Sequence, residues 1–232
     1  MPISGGGGII TVTPAVQGLV VDTVAISSLT GVSVAAADFS ISLNVGSGPN
    51  GTTNRALLVA LLFTGAVSGT SSVPVMTWNG VSMTQISGPF NNGASLGDIY
   101  FFGMVAPNIG SNILHGSWLG ANQAICAALS VVGADQTGGT TTFHGSTSAN
   151  GSGGATASIA ASSALAGELT LGAYLNDGNF AGGQGNTDIG HVSGANFWAP
   201  AANYAAGAAP TLTYSASGPV TWLSSACSIK AA

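Results

Sequence analysis

Charge is what this sequence has least of. Lys and Arg together number 2, and Asp and Glu 7, in 232 residues. The charged fraction is 4%, against roughly 25% in an average soluble chain. A nucleic-acid binder needs Lys and Arg to displace counterions from phosphates. Arg55 and Lys230 are the whole supply, which excludes nucleic acid as a partner. A polybasic anchor on a membrane surface fails for the same reason.

Long apolar runs are also missing, although the mean hydropathy is positive. A helix that spans a bilayer needs about 20 consecutive apolar residues. The longest clean run is Ala56 to Phe63, eight residues. A transmembrane barrel would need aromatic girdles at both interfaces, and 4 Trp with 4 Tyr are too few. No membrane partner is expected. The opening "MPISGGGGIITVTP" has no basic region followed by an apolar core, so it does not read as a secretory signal. Release within a virus particle is one route out of a cell that needs no such signal.

Cysteine is scarce. Cys126 and Cys227 are far apart and show no metal-ligand spacing. Each sits in an apolar, strand-like run. Two buried free thiols are expected, and a disulfide between adjacent strands is the alternative, requiring Cα atoms within about 7 Å.

What is present is punctuation. Glycine fills 36 of 232 positions, well above the usual share of about 7%. Gly, Pro, Asn and Ser interrupt short β-branched or alternating runs such as "IITVT", "FSISLNV", "ELTLGAYL" and "TLTY". No segment keeps a helical apolar period over three turns. The pattern predicts an all-β fold, a sandwich or a barrel, and an antiparallel β-sandwich with long Gly/Ser-rich loops is the reading taken. Even the Ala-rich "ASIAASSALAGEL" (157–169) reads as strand, turn and strand. Residues 1–18, with four consecutive glycines, read as an arm or linker, and 19–232 as one domain. "HGSTSANGSGG" (144–154) reads as a loop. The long stretch from Asn176 to Asn203 reads as a cap over one end of the sandwich.

Two local signals are sharp. In "VMTWNGVSMTQI" (75–86), Asn79-Gly80 is the dipeptide that a two-residue type I′ turn demands, because both positions need positive φ. The run Ala56–Phe63 is apolar at every position, which predicts a central strand covered on both faces. One face would meet the core, and the other a loop or a neighbouring subunit.

The segments "NRALLVALLF", "VMTWNGVSMTQI", "DIYFFGMVAPNIGSNILHGSW", "ICAALSVVGADQT", "GELTLGAYLNDG" and "VTWLSSACSIKAA" occur in that order. The arrangement resembles a β-sandwich, jelly-roll-like domain of phage virion proteins and large bacterial surface proteins. The resemblance covers roughly residues 54–232 and rests on patterning. It implies a jelly-roll-like sandwich that works in assemblies, and it brings no catalytic motif with it.

Chemistry-bearing patterns are sparse. Asp177 and Asp188 share one turn-rich region with His191 and are the best-placed carboxylates. "NDGN" around Asp177 is turn-forming in itself. Asp177, Asn179 and Asp188 are weak candidates for a calcium site, since that ion takes six to eight oxygens. His115, His144 and His191 show no zinc spacing. No G-x-S-x-G elbow and no phosphate-binding loop is present. Arg55 is expected to pair with Asp98 in a structural role. Phe197, Trp198 and Tyr204 could anchor a subunit interface, where aromatics are enriched, or stack on a sugar. No catalytic residue and no cofactor is expected, with calcium as the weak exception.

Two functions from different classes follow. One is a non-enzymatic structural virion protein of a bacteriophage, as a capsid decoration, head-fibre or tail-associated subunit. Its partners would be copies of itself and other virion proteins. The alternative is a carbohydrate-binding or adhesive module, secreted or on a cell surface, with a glycan as partner.

Overall fold

The computed structural model describes residues 18–29, 37–46, 53–64, 74–91, 97–118, 123–178, 186–191 and 201–232. The N-terminal arm expected over 1–18 lies almost wholly outside them. The strands in chain order begin with β1 (Val20–Leu29), β2 (Ala37–Val45), β3 (Ala56–Thr64), β4 (Val75–Trp78), β5 (Val81–Ser82), β6 (Thr84–Phe90) and β7 (Gly97–Val105). They continue with β8 (Gly110–Trp118), β9 (Gln123–Val132), β10 (Phe143–Ala160), β11 (Leu169–Asn176), β12 (Thr187–His191), β13 (Ala201–Ala206) and β14 (Thr211–Ile229). The helical element is one 3-10 turn, Gly139–Thr142. The chain is an all-β, antiparallel sandwich, as its patterning predicts.

Three sheets form, ordered β1-β9-β3-β7-β6, β2-β8-β4-β5 and β10-β14-β11-β13-β12. The first is sandwiched between the other two, and β3 shows why. Successive side chains on a strand point to opposite faces. Leu57, Val59, Leu61 and Phe63 enter one core with Phe39, Ile41, Trp78 and Leu114 of the four-stranded sheet. Ala56, Leu58, Ala60 and Leu62 enter a second core with Leu171, Leu175, Leu223 and Ile229 of the third sheet. The apolar run is a central strand, as expected. The expected covering of its second face needs correction: the chain's own third sheet lies there, where a loop or a neighbouring subunit was anticipated.

The β4–β5 hairpin closes through Asn79 (φ 49°) and Gly80 (φ 76°), with Trp78 paired to Val81. Two other expectations are corrected. Residues 144–154 form no loop, because they belong to β10 and pair with β14 from His144↔Ser228 to Gly154↔Val220. Backbone pairing carries this strand, and its glycines make room. A Cβ at Gly151 would come within 2.9 Å of the Trp222 ring. Of the stretch from Asn176 to Asn203, read as a cap, residues 187–191 form β12 and the two ends belong to β11 and β13, while 179–185 and 192–200 lie outside the described residues.

Beyond Gly154 the β10–β14 ribbon turns back over the outer face of its own sheet. Ala157, Ile159, Leu212 and Tyr214 pack there on Tyr174 and Ala226. Tyr214 stacks on Tyr174 with centroids 4.7 Å apart and planes 6° apart. Its hydroxyl donates to Asn203 Oδ1 at 2.8 Å.

Candidate functional site

Asp177 follows β11 directly and is exposed. Its amide donates to the Thr221 carbonyl at 3.1 Å, and its Oδ1 accepts the Thr221 amide at 2.7 Å. The carboxylate therefore prolongs the β11–β14 ladder by one position. Asp188 lies in β12 opposite Asn203, which faces Gly172 on β11. Gly172 precedes Asp177 by five residues, about 16 Å of strand. The register does not bring the two carboxylates together. Calcium ligands sit within about 2.6 Å of the ion.

Asn179, Phe197 and Trp198 fall outside the described residues. Tyr204 is a strand residue of β13, between Leu171 and Thr187, and packs half-buried against the second core. His191 ends β12. Among the described residues, no three His, Cys, Asp or Glu side chains gather into a metal-binding group.

The expected Arg55–Asp98 pair is corrected by register. Ala56 faces Val105 while Phe63 faces Asp98, so the two residues stand at opposite ends of the β3–β7 ladder. Arg55 instead donates Nε to the Pro107 carbonyl at 3.1 Å. Partial burial raises the Asp98 carboxyl above the usual range, and a hydrogen bond from Asn91 opposes that shift.

One pairing of ionisable side chains is one that sequence spacing gave no reason to suspect. His144 Nε2 and Glu168 Oε2 are 2.9 Å apart, with the Glu168 side chain only 3% exposed. The same oxygen accepts the Leu165 amide at 2.8 Å. The Glu168 amide returns a bond to the Leu165 carbonyl at 3.2 Å. Glu168 thus clamps the turn between β10 and β11. Both residues flank β14, where His144 faces Ser228 and Leu169, next to Glu168, faces Ile229.

The two thiols are free and buried in different cores, Cys126 in the first and Cys227 in the second. Burial pushes Cys227 up to about 12 and Cys126 higher still. Neither is an activated nucleophile, which would need a depressed pKa and access.

A cleft of about 360 Å³ opens between the β4–β5 hairpin, β7 and the 3-10 turn. Trp78, Val81, Met104 and Phe143 supply its apolar walls, and Ser82, Thr84, Asn108 and Thr140 its polar groups. Among the described lining residues none is an acid, a base or a thiol.

The outer face of the four-stranded sheet is a broader feature. Ser40, Ser42 and Asn44 of β2 and Ser111 and Ile113 of β8 are exposed there, beside half-buried His115, Ser117 and Thr77. Val75 is 53% and Ile113 47% exposed. Asp38 of β2, opposite Ser117, is the single Asp, Glu, Lys or Arg that the register places on this face among the described residues.

No family model matches the chain, and no curated protein matches it. The resemblance to the virion and surface-protein domain thus has no family match behind it. Solved structures give weak likenesses. One is dimeric latent PorU from Porphyromonas gingivalis, at 13% identity and TM-score 0.29, covering 94% of this chain and 22% of that one. Another is the VP2 subviral particle of infectious bursal disease virus, at 10% identity and TM-score 0.26, covering 91% and 42%. The Gt strain of that virus gives TM-score 0.24 at 10% identity, with the same coverage. The chain spans less than half the length of each. TM-scores this low carry no argument about what the chain does.

Proposed function

We propose that the chain is a non-enzymatic structural subunit of a bacteriophage particle, as a capsid decoration, head-fibre or tail-associated protein. It acts by contact with copies of itself and with other virion proteins. The observation that carries this reading is the charge-poor outer face of the four-stranded sheet, where hydroxyls alternate with exposed Val75 and Ile113 and Asp38, opposite Ser117, is the single acid in register with them. Such a face loses little on burial. Hydroxyls find partners across an interface, aliphatic groups leave water, and one carboxylate at the end of β2 is the charge to be compensated. A three-layer sandwich behind it supplies a stiff support. Electron microscopy of particles from a producing culture, labelled with antibody to the chain, tests the reading. Label at a regular position on the particles supports it, and unlabelled particles contradict it.

A second reading, a carbohydrate-binding or adhesive module at a cell surface, has the neutral cleft in its favour. Apolar walls beside exposed Ser82, Thr84, Asn108 and Thr140 give hydroxyl and amide groups that can hydrogen-bond a sugar. Glycan binding measured with and without calcium separates this reading from the first. It also tests the ion candidates Asp177, Asn179 and Asp188. Binding lost in a Thr84→Val/Thr140→Val variant would place the glycan in the cleft.

A further inference from the structure

Among the described residues the three sheets have six edges, and five are spoiled for strand addition. β1 breaks register between Val21 and Thr23. β6 breaks it twice and carries Pro89, which has no amide to donate. β10 breaks it three times. β12 has five residues and a shift between Asp188 and Gly190. β5 has two residues. These are the devices by which folded proteins keep open edges from pairing.

β2 has none of them. Its nine residues run opposite β8 without a register shift. It contains no Pro, Gly, Lys or Arg, and Asp38 is its single ionisable residue. Ser40, Ser42 and Asn44 are exposed, while Phe39, Ile41, Leu43 and Val45 are buried in the first core. No described strand pairs with its outer side.

We propose that β2 pairs with β2 of a second copy, antiparallel across a two-fold axis, so that two four-stranded sheets become one continuous sheet. The strand is complementary to itself. With Ile41 on the axis, all nine residues pair. Ser40 then faces the partner's Ser42, and Phe39 faces the partner's Leu43. Hydroxyl meets hydroxyl on the open side, and apolar meets apolar on the core side, the pairing that stabilises sheets. Other same-face registers leave strand ends unpaired. The chain carries a net charge of −5, but β2 brings a single acid, Asp38, to the seam, and in this register it faces the partner's Asn44 and no second carboxylate. This pairing names the contact by which the proposed structural subunit meets itself, and its biological meaning rests on that reading.

Analytical ultracentrifugation of the full chain and of Ser40→Lys/Ser42→Lys tests the pairing. Both positions are exposed, so the variant should fold, and far-UV circular dichroism checks that it does. The native chain should form a dimer whose fraction rises with concentration. The variant, with lysines facing lysines across the axis, should need at least about 100-fold more protein to dimerise. Ser40→Cys/Ser42→Cys should give a covalent dimer on mild oxidation, because directly opposed residues lie within disulfide reach. Ser40→Cys alone should not. A dimer unaffected by the lysines and not captured by the cysteine pair would overturn the β2 contact while leaving an assembling subunit intact. A chain that stays monomeric would overturn it as well. So would a monomer whose β2 amides resist hydrogen exchange, since a segment of the same chain would then occupy the edge.

Discussion

Asp22 accepts the Gly46 amide at 2.6 Å and the Ser130 hydroxyl at 3.1 Å. Arg55 donates to a carbonyl, and Glu168 accepts an amide. Few as they are, the ionisable groups that the fold covers hold backbone in place. Glu168 is the most buried of these three. Glu168→Ala leaves the Leu165 amide and His144 without their acceptor. The expected loss is about 2 kcal/mol in denaturant unfolding, by the worth of hydrogen bonds to a charged group. Glu168→Gln should lose less, since its amide oxygen can still accept. The thiols give a pH prediction. Cys227 rises from an ordinary 9.0 to about 12 in the folded chain, because burial penalises the thiolate. The unfolded chain therefore releases this proton first as the pH rises. Stability should be full below about pH 9 and fall between about 9 and 12, and Cys126 extends the fall further. Alkylation followed by mass spectrometry at pH 8.5 should leave both cysteines unmodified in the native chain and modify both in denaturant.

At the scale of elements, β3 allows a direct test of the three-layer arrangement. Leu57 and Leu58 are neighbours in sequence, both fully buried, and belong to different cores. Leu57→Ala and Leu58→Ala should each cost about 3 to 4 kcal/mol, the usual range for a leucine cavity. In a two-layer sandwich one of the two would be nearly neutral. Turn chemistry gives another test. Gly80 has open space around it but sits at φ 76°. Gly80→Ala should cost about 1 kcal/mol through backbone conformation alone. Gly218, also in open space and outside that backbone region, should tolerate Ala. These elements also show how far the sequence could be read. The hairpin was legible because Asn-Gly states its own geometry. β3 was legible because eight apolar residues cannot face water on either side. β10 was not, because Gly and Ser name a flexible composition while the β14 residues that pair with 144–154 lie 66 to 84 positions away, and long-range pairing overrides local propensity. The Arg55–Asp98 expectation failed likewise, since the few charges gave no clue to register. Of the candidate site residues, Tyr204 looked like a loop aromatic because nothing local marks β13 as a strand.

The whole molecule presents a stiff, nearly uncharged block. Its central sheet is covered on both faces by its own chain, so assembly is not needed to hide β3. What remains for a partner is the outer face of the four-stranded sheet and the β2 edge beside it. Specific complexes bury about 1,600 Å² in total, and a single strand edge falls short of that. Contacts on the hydroxyl face would have to add to it. A subunit with such surfaces should depend little on salt for association, because few charged groups are there to be screened. If the proposed β2 dimer forms, sedimentation at low and high ionic strength should therefore give nearly the same dissociation constant. The structural role itself is tested most directly by separating a producing culture on a density gradient and quantifying this chain by mass spectrometry across the fractions. The account predicts that it sediments with DNA-containing particles at a fixed ratio to a major capsid protein. Recovery in the soluble or cell-surface fractions, away from any particle, would contradict it.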